Sequence, residues 1–188
     1  MDEVHSLVDD DEHAKSPSWG GWEHTELLFG LELQSPYAEF ILDRTKTIET
    51  RTYPLPQALI NKKIAILRSE MGVEGVSSIS NREEILVSTT RRKEGSSRCR
   101  SSSPLERLGW CTFVQSFRYT DKETFENDVS CHLVDATSKY GWIQQQLYDR
   151  PLYGWVVGEV GYYNNDDDND EEYVAIRRFR SLFELIKK

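Results

Sequence analysis

Two prolines, Pro36 and Pro54, bracket the stretch that most limits how this chain can fold. A helix can begin at Pro36, because a first-turn residue has no intrahelical partner for its N–H to lose. A strand reaching Pro54 and Pro56 must stop there, since neither proline can donate to a sheet ladder. Ser35 stands where an N-cap belongs. Tyr37, Phe40 and Ile41 recur at spacings of three and four, with Leu42 adjoining, which predicts one apolar helical face ending near Arg44. Thr45 to Thr52 is rich in β-branched residues and predicts a strand. The chain must therefore turn a helix-to-strand corner between the prolines, and that corner carries Lys46, Glu49 and Arg51.

The apolar runs elsewhere predict further strands. Leu27–Leu33 reads as a first strand, Lys62–Arg68 as a strand with a basic entry, and Leu108–Phe117 as a long one. Thr120 or Asp121 can cap a short helix with Phe125 on its buried face. Residues 131–141 read as a loop or helical turn carrying His132 and Tyr140, and Trp142–Leu147 is too short for its pattern to decide. Leu152–Tyr163 is the most β-like run. Val174–Ile176 with Phe179 predicts a last strand, and Leu182, Phe183, Leu185 and Ile186 a terminal helical turn. Several strands with few helices predict an α+β chain, a small, mostly antiparallel β-barrel with short flanking helices.

A chain of 188 residues fits one domain. Residues 1–24 hold too little apolar surface to offset the entropy of ordering and read as an acidic disordered tail, in which Trp19 and Trp22 either clip onto the domain or stay exposed. The domain then spans residues 25–188. It is interrupted by a Ser/Arg-rich insertion at about 70–105, expected to be disordered, and by an acidic loop at 164–172. The insertion reads as a basic arm for nucleic acid, a phosphorylation target or a solvated linker. The net charge is −9, but residues 1–26 carry −7 and residues 166–172 carry −6, leaving +4 for the rest. An anionic ligand is therefore compatible with the acidic total, because the field near a site outweighs the sum. Three widely spaced cysteines, Cys99, Cys111 and Cys131, make neither a disulfide framework nor a zinc site. Reduced thiols, an acidic start without a basic n-region and no apolar run near the ~20 residues of a membrane span predict a cytoplasmic or nuclear protein.

On a regular strand Thr47, Glu49 and Arg51 share one face and Ile48 points into the core. Glu49 and Arg51 can then pair laterally, and Lys46 at the strand entry can turn towards the same cleft. Arg51 suits bidentate recognition of phosphate. Tyr37 and Tyr53 flank the motif and can stack on a base. Tyr153 and Trp155 offer the same chemistry, although core and strand-end packing is the simpler role for both. Gln34 either reads a base edge or caps the helix. The alternative for Lys46, Glu49 and Arg51 is a salt-bridge lattice that fixes the corner. A nucleophilic Ser or Cys with a matched His is missing from the sequence, as is a Gly-rich phosphate loop. His132 lacks partners at metal-ligand spacing and reads as a hydrogen-bonded loop histidine, so no metal or cofactor is expected.

The segment Gln34-Ser35-Pro36-Tyr37-Ala38 followed by Lys46-Thr47-Ile48-Glu49-Thr50-Arg51 resembles the signature of the ASCH family (activating signal cointegrator homology) of the PUA-like superfamily. The resemblance is close over residues 28–68 and looser over 108–160, where Leu152–Val157 takes the place of a core barrel strand. It implies a barrel with a cleft beside its first helix, suited to RNA or a nucleoside. Gln34, Tyr37, Lys46, Glu49, Arg51, Tyr53 and Tyr153 are the implied ligand-binding set. Some bacterial members are amidohydrolases on N4-acetylcytidine, and in that case Lys46 and Glu49 are the catalytic pair, although those members carry Thr where this chain has Glu49. The family usually has Gly at the helix-to-strand turn, where this chain reads Asp43-Arg44-Thr45. The expectation is a monomeric RNA- or modified-nucleoside-binding module. The alternatives are an amidohydrolase or a ribonuclease, or a transcriptional co-regulatory domain whose acidic tail or Ser/Arg tract recruits a protein partner.

Overall fold

The computed structural model describes residues 28–69, 84–89, 105–163 and 173–187. Eight strands among them form one mixed sheet: β1 (Leu28–Gln34), β2 (Ile48–Arg51), β3 (Ile64–Ser69), β4 (Glu84–Thr89), β5 (Leu105–Tyr119), β6 (Leu152–Tyr162), β7 (Tyr173–Phe179) and β8 (Leu182–Lys187). Four short α-helices, α1 (Tyr37–Leu42), α2 (Lys122–Asn127), α3 (Val129–His132) and α4 (Trp142–Leu147), and a 3-10 turn at Gln57–Leu59 accompany them. The strand order is β2-β6-β5-β3-β1-β8-β7-β4, and β4 also meets β5. The β1–β3 and β4–β5 pairings are parallel and the others antiparallel. The expected α+β class holds. The sheet is not a barrel sealed along its strands, because β4 meets β5 only over Val87–Thr89 and Leu105–Arg107.

Leu31, Ile41, Ile64, Ile66, Phe113, Trp155 and Leu182 pack in one core, and Ala65, Leu67, Leu105, Phe183 and Leu185 in a second. β3 feeds both, which is why Ile64-Ala65-Ile66-Leu67 is apolar at every position instead of alternating. β8 does the same, and this corrects the expected terminal helical turn. Leu182 packs in the first core and Phe183 and Leu185 in the second, so an apolar run that matches a helical period, interrupted by the buried Glu184, is a strand buried on both faces. β4 corrects the expected disordered insertion, because Glu84–Thr89 crosses it as a strand paired antiparallel with β7 and buries Val87. The rest of that tract, the tail at 1–24 with Trp19 and Trp22, and the acidic loop at 164–172 lie outside the described residues. Among the described residues, no helix is long and apolar enough to cross a membrane.

Two local features position α1 over the sheet. Gly109 in β5 admits Leu42 because a Cβ there would lie 2.9 Å from Leu42 Cδ2 and 2.5 Å from the Gly161 carbonyl oxygen. α1 itself starts from Pro36 without a side-chain cap. The Ser35 hydroxyl donates instead to Glu39 Oε1 at 3.2 Å, so Ser35 is not the expected N-cap. Asp121 does cap α2, accepting from the Thr124 N–H at 2.8 Å, with Phe125 buried.

Cys111 lies fully buried in β5, and burial pushes its thiol pKa well up. The unfolded thiol ionises near ~8.5, while the folded one keeps its proton. Above that pH the unfolded state binds fewer protons and stability falls as pH rises. The stability gap between wild type and Cys111→Ala, read from urea unfolding, is expected to shrink by about 1 kcal/mol between pH 9 and 10. A gap constant with pH would refute this.

Candidate functional site

The corner after α1 is closed by a residue that usually would be glycine. Arg44 takes φ 65°, and Asp43 Oδ1 accepts from the Thr45 N–H at 2.8 Å. An Arg in the left-handed region carries a steric cost that Gly avoids, which the Asp43 side chain offsets by bonding the turn. The Lys46 N–H then returns to the Phe40 carbonyl at 2.7 Å. The Thr47 N–H donates to the Cys131 carbonyl in α3, and the Thr47 carbonyl accepts from the Val157 N–H, both at 2.9 Å. Strand pairing starts only at Ile48, opposite Val156 in β6. The strand is shorter than Thr45–Thr52, and Lys46 precedes it on backbone free to turn inwards.

Lys46 is buried, at 2% exposure, beside Glu49 at 5%. Lys46 Nζ donates to the His132 carbonyl, lies 3.5 Å from Glu49 Oε2 and sits 5.7 Å from the centre of the Tyr37 ring. Glu49 Oε1 pairs with Arg51 Nη2 at 3.0 Å, and the same nitrogen donates to the Glu32 carbonyl at 3.0 Å. Arg51 Nε is buried with no hydrogen-bond partner. Burial pulls the Lys46 pKa down, the Glu49 carboxylate pulls partly back up, and the Arg51 charge lowers it further. Burial works most strongly against Arg51, but the Glu49 charge together with the smaller contributions of Tyr53, Glu32 and Tyr140 outweighs it and holds the guanidinium above its ordinary value. The three side chains alternate plus, minus, plus, so each buried charge has an opposite neighbour.

This array lines a cavity of about 220 Å³. Gln34 at the end of β1 and Tyr37 on α1 form one side. Tyr140 and Val134, from the segment between α3 and α4, and Ser181, from the β7–β8 turn, join the lining, as do Glu32, Leu33 and Thr50. Five residues marked by the sequence therefore meet: Gln34, Tyr37, Lys46, Glu49 and Arg51. Tyr53 does not join them. It is buried, bonds Ser181 Oγ through its hydroxyl at 2.7 Å, and packs edge-on to Trp155 and Phe179. Tyr153 sits opposite Arg51 on β6 and packs against the first core, outside the cavity lining. Trp155 is fully buried, its indole N–H donating to the Tyr53 carbonyl at 3.2 Å, in the packing role. Glu32, Leu33, Thr50, Val134, Tyr140 and Ser181 were not among the expected site residues. Of these, only Tyr140, an aromatic beside Gly141 in a polar loop, carried a visible signal.

His132 is buried with both ring nitrogens engaged. Nε2 bonds the Phe125 carbonyl at 2.8 Å and Nδ1 accepts from the Val134 N–H at 3.0 Å, which fixes a neutral tautomer with the proton on Nε2. Burial and the nearby Lys46 charge lower its pKa. The sequence expectation of a hydrogen-bonded histidine matches this geometry, and its own carbonyl is what anchors Lys46. No protein-family model matches the chain, and no curated protein sequence matches it.

Proposed function

We propose that the chain is an ASCH-like module of PUA-like barrel type that binds a nucleoside, free or as an unpaired residue of RNA, in the cavity above Lys46, Glu49 and Arg51. The observation that carries this reading is one small cavity with a buried cation–carboxylate–cation array and two tyrosines, Tyr37 and Tyr140, among its lining residues. Glu49, Lys46 and Arg51 supply acceptors and donors for a base edge, and an aromatic ring supplies a stacking face. The volume suits one nucleoside and excludes a duplex. Calorimetric titration of the full chain with cytidine, uridine, adenosine and N4-acetylcytidine tests the binding. Lys46→Met is expected to weaken it about 10- to 100-fold, the scale of a lost charged hydrogen bond. Tyr140→Ala is expected to cost about 1–3 kcal/mol, the scale of base stacking. Absence of binding by all four nucleosides, or affinities unchanged by both substitutions, would remove the proposal.

The lowered pKa of Lys46 favours a second reading, hydrolysis of an acylated cytosine amine. Lys46 polarises the acyl oxygen while Glu49 takes a proton from the water that adds to the acyl carbon; the carbon–nitrogen bond then breaks and the amine leaves with that proton. Incubation of N4-acetylcytidine with the wild type, Lys46→Met and Glu49→Gln separates this from binding alone. Cytidine and acetate should appear only with the wild type, and equal turnover in all three would reject it.

A further inference from the structure

A second cavity of about 290 Å³, which shares Val134 with the first, opens among α2, α3 and α4. Half-buried Trp142 brings aromatic surface to it, over buried Phe125 and His132, with Phe125 stacked on His132 at 4.3 Å and tilted against Trp142 at 6.0 Å. Two carboxylates, Glu126 and Asp135, join them, and among the described residues no lysine or arginine lines the cavity. Asp135 Oδ1 accepts from the N–H and hydroxyl of Thr137, and Oδ2 makes no hydrogen bond among the described residues. The histidine adds no charge, since its tautomer is fixed as neutral. Beside the cavity, Ile143 and Leu147 lie one helical turn apart on α4 and are 51% and 71% exposed. Residues 121–150 carry six carboxylates against three cations.

We propose that this cavity and the adjoining α4 stripe dock a partner peptide that offers one lysine or arginine side chain between apolar residues. The Trp142 ring attracts a cation through its quadrupole. The unengaged oxygen of Asp135 supplies the counter-charge, and Ile143 with Leu147 receives the flanking apolar side chains. The acidic surround favours a basic partner on approach. This chain's own basic tract at 90–104 does not match, because it contains no leucine, isoleucine, valine, methionine or aromatic residue. The proposal is independent of the nucleoside reading, which concerns the other cavity.

The test is a nuclear magnetic resonance titration of the isotope-labelled full chain at low salt. The probes are the blocked pentapeptide Ala-Leu-Lys-Leu-Ala and its counterpart with norleucine in place of lysine. The Trp142 indole N–H and the Asp135 and Ile143 amides are expected to shift. The norleucine peptide should bind about five- to tenfold more weakly, the combined scale of an exposed cation–π contact and an exposed ion pair. Asp135→Asn keeps the acceptor for Thr137, so the turn survives. It should weaken the lysine peptide while leaving the norleucine peptide unchanged. Equal binding of the two peptides, indifference to Asp135→Asn, shifts confined to other regions, or no shift at millimolar peptide would each overturn the proposal.

Discussion

Glu49→Leu is expected to destabilise the fold by about 3–5 kcal/mol, the cost of leaving buried charge without its partner. Glu49 is the only carboxylate paired with Lys46 among the described residues, and it also pairs with Arg51. Its removal strands two cations, one of them with almost no solvent contact. Lys46→Met at the other end of the same pair is expected to be close to neutral. The methionine fills the lysine's apolar path, and Glu49 keeps Arg51. The two outcomes separate a site that needs a cation from a lattice that needs its carboxylate. Urea unfolding of both variants and of the double variant measures them. The double variant should be less destabilised than the two single effects added, because neighbours in one network are not additive. A wild-type-like midpoint for Glu49→Leu would show that these charges are solvated.

The same pair gives a pH dependence with a definite sign. The folded pKa of Lys46 is lowered, while its unfolded value is near ~10.4. Between the two the unfolded state binds more protons, so the Lys46 contribution becomes more favourable as pH rises through that window. Below the folded pKa its penalty is constant. Lys46→Met removes this rise, whereas the fall caused by Cys111 remains.

The legible part of this chain is the part whose determinants are local. Lys46, Glu49 and Arg51 stand within six residues, and alternation alone predicts the Glu49–Arg51 pair that forms at 3.0 Å. Proline and apolar spacing place α1 to within a residue or two. The rest depends on contacts between distant segments. Ser181 reaches the cavity only because β7 and β8 form a hairpin, and the apolar run in β8 has the same spacing in a helix as in a strand buried on both faces. Tyr53 has the composition of a stacking residue beside the motif, yet β2 ends at Arg51 and the chain beyond turns Tyr53 into the core against Trp155. β4 is hidden by its neighbours, because its few apolar residues sit in a Ser/Arg-rich tract that dominates any window average.

His132→Leu is expected to cost about 2–5 kcal/mol, because it leaves the Phe125 carbonyl and the Val134 N–H buried without a partner at ~1–3 kcal/mol each. Leucine approximates the volume, so lost hydrogen bonding rather than a cavity dominates. The penalty should depend on pH. The unfolded histidine binds a proton below ~6.5, while the folded ring resists protonation: burial opposes the charge, Lys46 repels it, and the Phe125 bond offsets only part of this. Wild-type stability from this group is therefore present above the unfolded pKa and lost as pH falls towards the folded one. The gap between wild type and His132→Leu should narrow by up to about 1 kcal/mol from pH 7.5 to 5.5, measured by urea unfolding at both. A gap equal at both would mean that the folded ring accepts a proton as readily as the unfolded one. The substitution also reads the two cavities against each other, because the His132 carbonyl anchors Lys46 in one and its ring lines the other. If the wall between them is as rigid as its two ring hydrogen bonds imply, nucleoside and peptide affinities should fall together in this variant. Asp135→Asn, by contrast, should touch only the peptide.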